Sequence, residues 1–182
     1  MDYVDLYLVH CPCGMTVNGV SNGMINTIRW GSVEHFDIEH IDTWRVLEKY
    51  YKSGQLKALG LSNFNAKQIE ALYDLAEIKP SNLQVELHIY WPQFELHDLC
   101  KKLNMTVTAY APIGSPGSSA FRPISPIGPP MEDPVVAELA RKYGKSPAQI
   151  LLRHLLQREI SVIPKSTNPE RVKQNIDIFD FQ

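Results

Sequence analysis

Short apolar segments alternate with helical segments along most of this 182-residue chain. Runs typical of strands occur at residues 3–9, 57–61, 83–87, 106–109 and 160–163, with stripes of helical period between them. Strands that are separated by helices pair in parallel, because a tight hairpin cannot join them. The alternation therefore predicts an α/β fold built from parallel strand–helix units. The near-continuous apolar character of residues 3–9 predicts a strand covered on both faces of its sheet.

Polar residues recur at or near the carboxyl ends of these predicted strands: His10, Ser62, Asn63, Gln84, Tyr110 and Lys165. In a βα barrel the carboxyl ends of the strands meet on one face, where active sites are built. Singly, each residue could be a satisfied polar group at a strand end, but five such positions in register favour a shared site. An open doubly wound sheet also binds ligands at its strand ends, yet it more often has a glycine-rich turn after the first strand. This sequence has no such turn.

Start and stop signals delimit the predicted helices. Capping boxes are predicted at two pairs of residues, Asn65 with Gln68 and Ser146 with Gln149. Two further helices are predicted to start at Asp133 and Asn168, each directly before a proline, and two are predicted to end at Gly54 and Gly144. Residues 11–39 show no sustained period. Residues 111–133, which are rich in Pro, Gly and Ser, predict a mobile loop.

The segment of residues 160–175 combines a strand, a helix start and two cations. Lys165 and Ser166 lie in the connection, and Arg171 lies in the first turn of the helix that follows. A helix N-terminus presents free N–H donors and a partial positive charge. An added ammonium, hydroxyl and guanidinium therefore predict a site for a dianionic phosphate. The alternative is a solvated turn with a local pair between Glu170 and Arg171.

The composition, with 44% hydrophobic residues and a formal net charge of −2, is typical of a globular protein. We expect one domain over residues 1–182, with no electrostatic reason for a nucleic-acid or membrane partner. The sequence has no secretory signal and no membrane-spanning apolar run. Three cysteines without disulfide-like spacing predict a reducing, cytoplasmic location. Cys11-Pro12-Cys13 beside His10 lacks the spacing of a zinc site, so no metal is expected.

Five motifs are spread in order over essentially the whole chain: Y-V-D-L-Y-L-V-H, G-L-S-N-F, T-A-Y-A-P-I-G-S-P, A-Q-I-L-L-R-H-L-L-Q and V-I-P-K-S-x-x-P-E-R. Together they resemble the aldo-keto reductases, and within them the aldose/aldehyde reductase branch. The resemblance implies a (β/α)8 barrel, of which this chain holds about five of the eight units, strands four to eight. It also implies NADPH as cofactor, bound across the C-terminal face, and reduction of an aldehyde or ketone to an alcohol.

The resemblance assigns residues near the reacting centre. His10 matches the catalytic histidine that orients the substrate carbonyl, and Cys11 stands beside it in the substrate pocket. The side chains that hold the nicotinamide carboxamide are matched by Ser62, Asn63 and Gln84. Tyr110 matches the aromatic residue that stacks on the nicotinamide ring.

The resemblance also assigns residues that bind the rest of the cofactor. The loop that straps the pyrophosphate is matched by Ala111, Ile113 and Ser115. The pocket for the adenosine 2′-phosphate is matched by Lys165, Ser166, Asn168 and Arg171. This assignment agrees with the anion site derived above. The positions that touch the adenine are matched by Gln174 and Asn175, although the family often has Glu where Gln174 stands.

The chain departs from the family pattern at several places. Leu83-Gln84 and His88-Ile89 stand where Asn-Gln and His-Pro are common, so one carboxamide contact and one turn proline are missing. Cys11 stands where Trp is frequent, which would reshape the substrate pocket. The chain begins at what resembles the fourth strand, so the family's catalytic Asp, Tyr and Lys fall outside it. The C-terminal loop that shapes substrate choice falls outside it as well.

From these departures we expect the 182 residues alone to be inactive or nearly so. We also expect them to self-associate through unpaired strand edges, whereas a full-length form is expected to be a monomer. The partner is then a small carbonyl compound. Two alternatives stay open: a non-catalytic variant that binds dinucleotide, and a non-functional truncated product.

Overall fold

The structure, a computed structural model, describes residues 2–17, 33–36, 39–116 and 128–182. The chain forms two compact units, Met1–Ser81 and Asn82–Gln182. Both contain parallel strands followed by helices, as the alternation in the sequence predicts.

The described part of the first unit contains β1 (Tyr7–Val9), β2 (Gly14–Val17), β3 (Val33–Phe36), α1 (His40–Lys52), β4 (Leu59–Ser62) and α2 (Ala66–Leu75). β1 pairs in parallel with β4, so that Val9 lies opposite Leu61. The core of this unit is formed by β4 and by the apolar faces of the two helices, with Trp44, Leu61 and Ile69 fully buried. The indole N–H of Trp44 donates a hydrogen bond of 2.8 Å to the carbonyl oxygen of Ile78, which satisfies the polar atom of this buried ring.

An antiparallel pair, β2 with β3, lies within residues 11–39, for which the sequence indicated no regular structure. Gly14 lies opposite Phe36, and Val17 lies opposite Val33. The prediction missed this pair because strands of four residues are too short to show a period of two. Pairing between residues distant along the chain also leaves no local signal. The residues that join the two strands lie outside the described part of the chain.

The first strand differs from its prediction in length and in exposure. β1 is confined to Tyr7–Val9, and Val4 forms only an isolated bridge with Leu56. Tyr3 is 49% exposed and Tyr7 is 47% exposed, so the expectation of a strand covered on both faces is wrong. An apolar sequence records a preference for burial, but it does not supply the layer that would cover the strand. The described residues of the first unit leave both tyrosines uncovered.

The described part of the second unit contains β5 (Asn82–Glu86), α3 (Phe94–Lys102), β6 (Thr106–Tyr110), a 3-10 turn (Pro130–Glu132), α4 (Pro134–Tyr143), α5 (Pro147–Gln157), β7 (Ile160–Val162) and α6 (Pro169–Ile176). Parallel pairing gives the strand order β5–β6–β7. Leu83 and Val107 are buried, whereas Gln84, Glu86 and Tyr110 are only half-buried. Gln84 and Glu86 therefore lie on the same side of β5, as their spacing predicts. Of the predicted loop, residues 117–127 lie outside the described part.

The predicted helix signals are confirmed. Capping boxes close the N-termini of α2 and α5, Asp133 caps α4, and Asn168 caps α6. Gly54, with φ 81°, follows α1, and Gly144, with φ 64°, ends α4. The longest helix of the described residues is α1, with 13 residues, and none of these helices is long and apolar enough to cross a membrane.

Candidate functional site

A cleft of about 900 Å³ lies in the second unit. Four segments form its walls: the loop directly after β6, the 3-10 turn with the residue before it, the N-terminus of α5, and the connection from β7 to α6 with one side of α6. The structure brings eight of the predicted site residues together here: Ala111, Ile113, Ser115, Lys165, Ser166, Arg171, Gln174 and Asn175. The residues predicted for the pyrophosphate, the 2′-phosphate and the adenine therefore share one cleft.

The loop after β6 forms a tight wall of the cleft. Ala111, Gly114 and Ser115 have φ angles of 51°, 79° and 50°, all in the left-handed region. The N–H of Gly114 donates a hydrogen bond of 2.9 Å to the carbonyl oxygen of Ala111, which closes the turn. A Cβ atom at Gly114 would lie 2.6 Å from the ring of Pro130. Because both the conformation and the contact exclude a side chain, this turn requires glycine.

The cap of α6 limits which groups can bind an anion. The Oδ1 atom of Asn168 accepts hydrogen bonds from the N–H groups of Glu170, at 2.9 Å, and Arg171, at 3.1 Å. The N–H of Asn168 in turn donates to the hydroxyl of Ser166, at 3.2 Å. The expectation of free N–H donors is therefore wrong for these groups, since the cap already engages them. Asn168 does not line the cleft, and its direct contact with a ligand stays a prediction.

Two cations remain available at this end of the cleft. Within the described residues, neither Lys165 nor Arg171 forms an ion pair with a carboxylate. Glu170, the acidic neighbour of Arg171 in the sequence, pairs instead with Lys173 at 2.9 Å. The alternative of a local Glu170–Arg171 pair is therefore wrong. Glu132 is the one acidic side chain among the described residues that line the cleft. The charged side chains of the cleft thus favour an anionic ligand, since two positive charges face one negative charge.

The N-terminus of α5 also lines the cleft, which the sequence did not reveal. Ser146, Pro147 and Ala148 were predicted only as a helix start. Their position adds the partial positive charge of a second helix N-terminus to this site. No local signal could have found them, because their place in the cleft results from the packing of α5 beside the β7–α6 connection. Other lining residues that the sequence analysis missed are Pro112, Pro116, Pro129, Met131, Ile163, Pro164 and Thr167.

Besides Asn168, two predicted residues of the second unit lie outside the cleft lining. Gln84 is on β5 and Tyr110 is the last residue of β6. In the parallel register Tyr110 lies opposite Glu86, two residues beyond Thr108, the partner of Gln84. Both side chains lie on the half-buried side of the sheet, Tyr110 at the carboxyl end of β6 and Gln84 in the middle of β5. Their contact with a nicotinamide ring stays a prediction.

A second group of predicted residues is assembled within the first unit. The side-chain amide of Asn63 donates hydrogen bonds to the carbonyl oxygen of His10, at 2.8 Å, and to the hydroxyl of Ser62, at 3.2 Å. Asn63 also forms a hydrogen bond with Cys11. His10 is exposed, so it is not a core histidine. The structure thus gathers His10, Cys11, Ser62 and Asn63 at the carboxyl ends of β1 and β4.

The thiol of Cys11 is perturbed by its surroundings. Burial raises the pKa of Cys11, the neighbouring Cys13 raises it further, and the hydrogen bond with Asn63 offsets part of the rise. At neutral pH this thiol is therefore neutral and suits a pocket wall better than a nucleophile. In the described part of the chain, no three His, Cys, Asp or Glu side chains are grouped so as to hold a metal ion.

Parallel strand–helix units with polar residues at strand ends, together with a cationic cleft in the second unit, define an α/β protein of the βα-barrel class. The sequence model of the Aldo/keto reductase family matches residues 1–182, and the chain belongs to this family. It is 42% identical over 182 residues to the Aldo-keto reductase family 1 member A1-A of Danio rerio, with all of this chain and 55% of that protein covered. With the Homo sapiens Aldo-keto reductase family 1 member A1 it shares 43% identity over 183 residues, covering 54% of that protein.

Solved structures support the same assignment. The aldose reductase from Schistosoma japonicum has a TM-score of 0.83 and 37% identity, and the match covers 100% of this chain and 55% of that one. MGS-M4, an aldo-keto reductase from a deep-sea metagenome library, has a TM-score of 0.76 and 36% identity, with the same coverage. The family and the fold class, an incomplete (β/α)8 barrel, are therefore confirmed. The chain spans about 55% of the length of these relatives.

Proposed function

We propose that this chain carries the cofactor-binding part of an NADPH-dependent reductase that converts aldehydes or ketones to alcohols. The observation that carries the proposal is the pair of cations, Lys165 and Arg171, which lie in one cleft without an acidic partner in the described residues. Membership of the aldo-keto reductase family and similarity to a solved aldose reductase support it.

The residues of the cleft fit the phosphorylated end of NADPH. A volume of about 900 Å³ lies within the range of ligand pockets, roughly 300–1,000 Å³. Lys165 and Arg171 would bind the 2′-phosphate through charge-assisted hydrogen bonds. The half-buried Asn175 and its neighbour Gln174 would contact the adenine, and the turn that begins at Ala111 would close over the pyrophosphate. Bound in this way, NADPH supplies the hydride.

The polar residues at the strand ends would then prepare the carbonyl group. The exposed ring of His10 would orient the substrate, and Asn63 would hold the backbone of His10 through its 2.8 Å hydrogen bond. Ser62 and Gln84 would bind the nicotinamide carboxamide, and Tyr110 would stack on the ring. The alkoxide that forms needs a proton, and the family's proton donor falls in a part of the fold that these residues do not contain. General acid catalysis contributes roughly 10²–10⁴-fold, so we propose that the 182 residues alone turn over little substrate.

The proposal extends to the cellular location and the oligomeric state of the protein. All three cysteines are free, which supports a reducing location such as the cytoplasm. The exposed tyrosines beside β1 support self-association of this chain alone, whereas the full-length reductase would act as a monomer on a small carbonyl substrate.

The binding test uses two nucleotides that differ only in the phosphate in question. Isothermal titration calorimetry would compare adenosine 2′,5′-bisphosphate with adenosine 5′-monophosphate. The replacement Arg171→Met is expected to raise the dissociation constant of the bisphosphate by roughly 10- to 100-fold, because a charge-assisted hydrogen bond contributes about 1.5–3 kcal/mol. The dissociation constant of the monophosphate is expected to stay unchanged. Lys102→Met is the control, since it removes one exposed positive charge from the same unit outside the cleft. Equal losses for both nucleotides would show that Arg171 does not bind the 2′-phosphate.

The turnover test compares the 182 residues with the same chain joined to the first three βα units of a close relative. NADPH oxidation with a reactive aldehyde is expected to be negligible for the former and restored for the latter. Turnover of the chain alone near the typical enzyme value of about 10 s⁻¹ would overturn the proposal that these residues by themselves turn over little substrate. Nucleotide binding without turnover in the joined chain would favour a non-catalytic dinucleotide-binding protein.

A further inference from the structure

Helix α6 carries three cleft residues but has little to hold it in place. Arg171, Gln174 and Asn175 lie on it, yet none of its eight residues is buried. Isolated helices shorter than about 12 residues are marginal in water, because nucleation is costly. Besides the packing of α6 against α5, the position of α6 and the geometry of the cleft therefore depend on contacts at the ends of this helix.

The C-terminal end of α6 is attached to the second unit through Lys145, in the connection from α4 to α5. The Nζ atom of Lys145 lies 3.0 Å from the Oδ2 atom of Asp177 and 2.8 Å from the Oδ2 atom of Asp180. The same ammonium lies 5.4 Å from the ring centroid of Phe181. The side chain of Lys145 is only 12% exposed, whereas those of Asp177 and Asp180 are 63% and 61% exposed, so only the lysine is shielded from water. One lysine thus gathers three residues that immediately follow α6.

A buried glutamine extends this attachment to the cleft. Gln149, which is 4% exposed, donates from Nε2 to the carbonyl oxygen of Asp177, at 2.7 Å. Its Oε1 atom accepts a hydrogen bond from the N–H of Ser146, at 2.9 Å. Ser146 lines the cleft, and Asp177 is the C-cap of α6. The two cleft walls formed by α5 and α6 are therefore connected through Gln149, and Lys145 binds the carboxylate of the same aspartate. Ile178, which is 2% exposed, anchors the segment in the core.

We propose that Lys145 is a positioning residue of the anion site: by clamping Asp177 and Asp180 it holds α6 so that Arg171 faces the cleft. Lys145 does not line the cleft and would not touch the ligand. The consequence for binding rests on the proposed function, whereas the consequence for the order of α6 does not. The proposal therefore separates into two measurable effects of one substitution.

The experiment compares Lys145→Met with Lys145→Arg and with Lys101→Met. Arginine keeps the charge and the ion pairs, so it is expected to restore what methionine loses. Lys101→Met is the matched control, because it breaks a lysine–carboxylate pair of 2.7 Å, with Glu159, in the same unit and away from α6. Should Lys145→Met fail to fold, Asp180→Asn weakens the clamp while leaving Asp177 in place.

Two readouts decide the outcome, both taken well below the melting temperature so that global stability alone leaves them unchanged. Without ligand, the rate of backbone amide hydrogen exchange in residues 169–176 is expected to be about fivefold higher or more in Lys145→Met than in the unmodified chain. The dissociation constant for adenosine 2′,5′-bisphosphate is expected to rise about tenfold. Unchanged exchange in α6 would overturn the clamp, and faster exchange with unchanged affinity would overturn its positioning role. If the unmodified chain binds no bisphosphate, the proposed function fails and the anion-positioning role fails with it, while the exchange data still judge the clamp.

Discussion

The side-chain amide of Asn63, at the carboxyl end of β4, donates a hydrogen bond of 2.8 Å to the carbonyl oxygen of His10, at the carboxyl end of β1. Asn63 itself has φ 64°, a left-handed conformation that asparagine tolerates better than most residues. The bond joins two neighbouring parallel strands at their functional ends. It explains how residues far apart in the chain are held as one group.

The replacement Asn63→Ala is expected to lower the free energy of unfolding by about 2–3 kcal/mol. About 1 kcal/mol is the loss of the amide hydrogen bonds to His10 and Ser62, and about 1–2 kcal/mol is the cost of placing alanine in the left-handed region. Asn63→Gly is the matched variant, because it loses the same hydrogen bonds without that conformational cost. Urea unfolding would measure both. Equal losses for the two variants would show that the backbone conformation plays no part.

Glu48 makes the first unit sensitive to acid. Its carboxylate is 3% exposed and accepts hydrogen bonds from the N–H of Glu77, at 2.7 Å, the N–H of Ile78, at 3.0 Å, and the guanidinium of Arg45, at 2.9 Å. Burial alone would raise the pKa of Glu48, but the hydrogen bonds from Ile78, Arg45 and Glu77 outweigh it and hold the pKa below the ordinary 4.5. A lowered carboxyl pKa contributes stability above the ordinary value, and this contribution is lost as the pH falls through the folded-state pKa.

We therefore expect Glu48→Gln to be less stable than the unmodified chain at neutral pH, by about 1–2 kcal/mol. The difference should shrink as the pH falls below 4.5, because protonation then removes the advantage of the carboxylate. Urea unfolding from about pH 7 to about pH 3 would test this. Glu70→Gln, an exposed position on α2, is the control and should show no such trend. A stability difference that stays constant down to the lowest pH would contradict the prediction.

Alanine replacements at Gly114 and Gly144 would separate the cost of a left-handed backbone conformation from the cost of a steric contact. Both have positive φ angles, of 79° and 64°, but only at Gly114 would a Cβ atom meet a neighbour, the ring of Pro130 at 2.6 Å. Gly144→Ala is expected to lose about 1–2 kcal/mol of stability from backbone strain. Gly114→Ala adds a steric conflict of about 1–3 kcal/mol and should also disturb the cleft wall. Free energies of unfolding would check that Gly114→Ala is the more destabilising variant. Equal losses of stability would show that the contact with Pro130 has no effect.

The three cysteines are expected to react with iodoacetamide in the order of their exposure. Cys13 is exposed, Cys11 is half-buried with a raised pKa, and burial raises the pKa of Cys100 to about 11. Peptide mapping by mass spectrometry in native buffer should show Cys13 modified first, Cys11 more slowly and Cys100 last. In concentrated urea the three rates should converge. Native modification of Cys100 as fast as that of Cys13 would contradict its burial.

Local chemistry made much of this fold predictable from the sequence. The capping box of Asn65 and Gln68 involves residues within one helical turn, so its signal survives in any tertiary context. The same holds for Gly144, whose left-handed conformation ends α4. The order of strands and helices, the ends of the strands and the family motifs depend on such neighbours as well. The sequence by itself therefore determined the class of fold and eight of the residues that line the cleft, both of its cations among them.

Only the tertiary structure decided which distant elements meet. It paired β2 with β3, left Tyr7 exposed, and placed Ser146 at the cleft beside Lys165. It also brought Lys145 to Asp177, 32 residues further along the chain. Such contacts depend on how helices and strands pack against one another, and no short-range period or cap encodes that packing. For this reason the sequence could identify cationic and polar residues of the cleft, whereas it could not predict the contacts of Lys145 with Asp177 and Asp180.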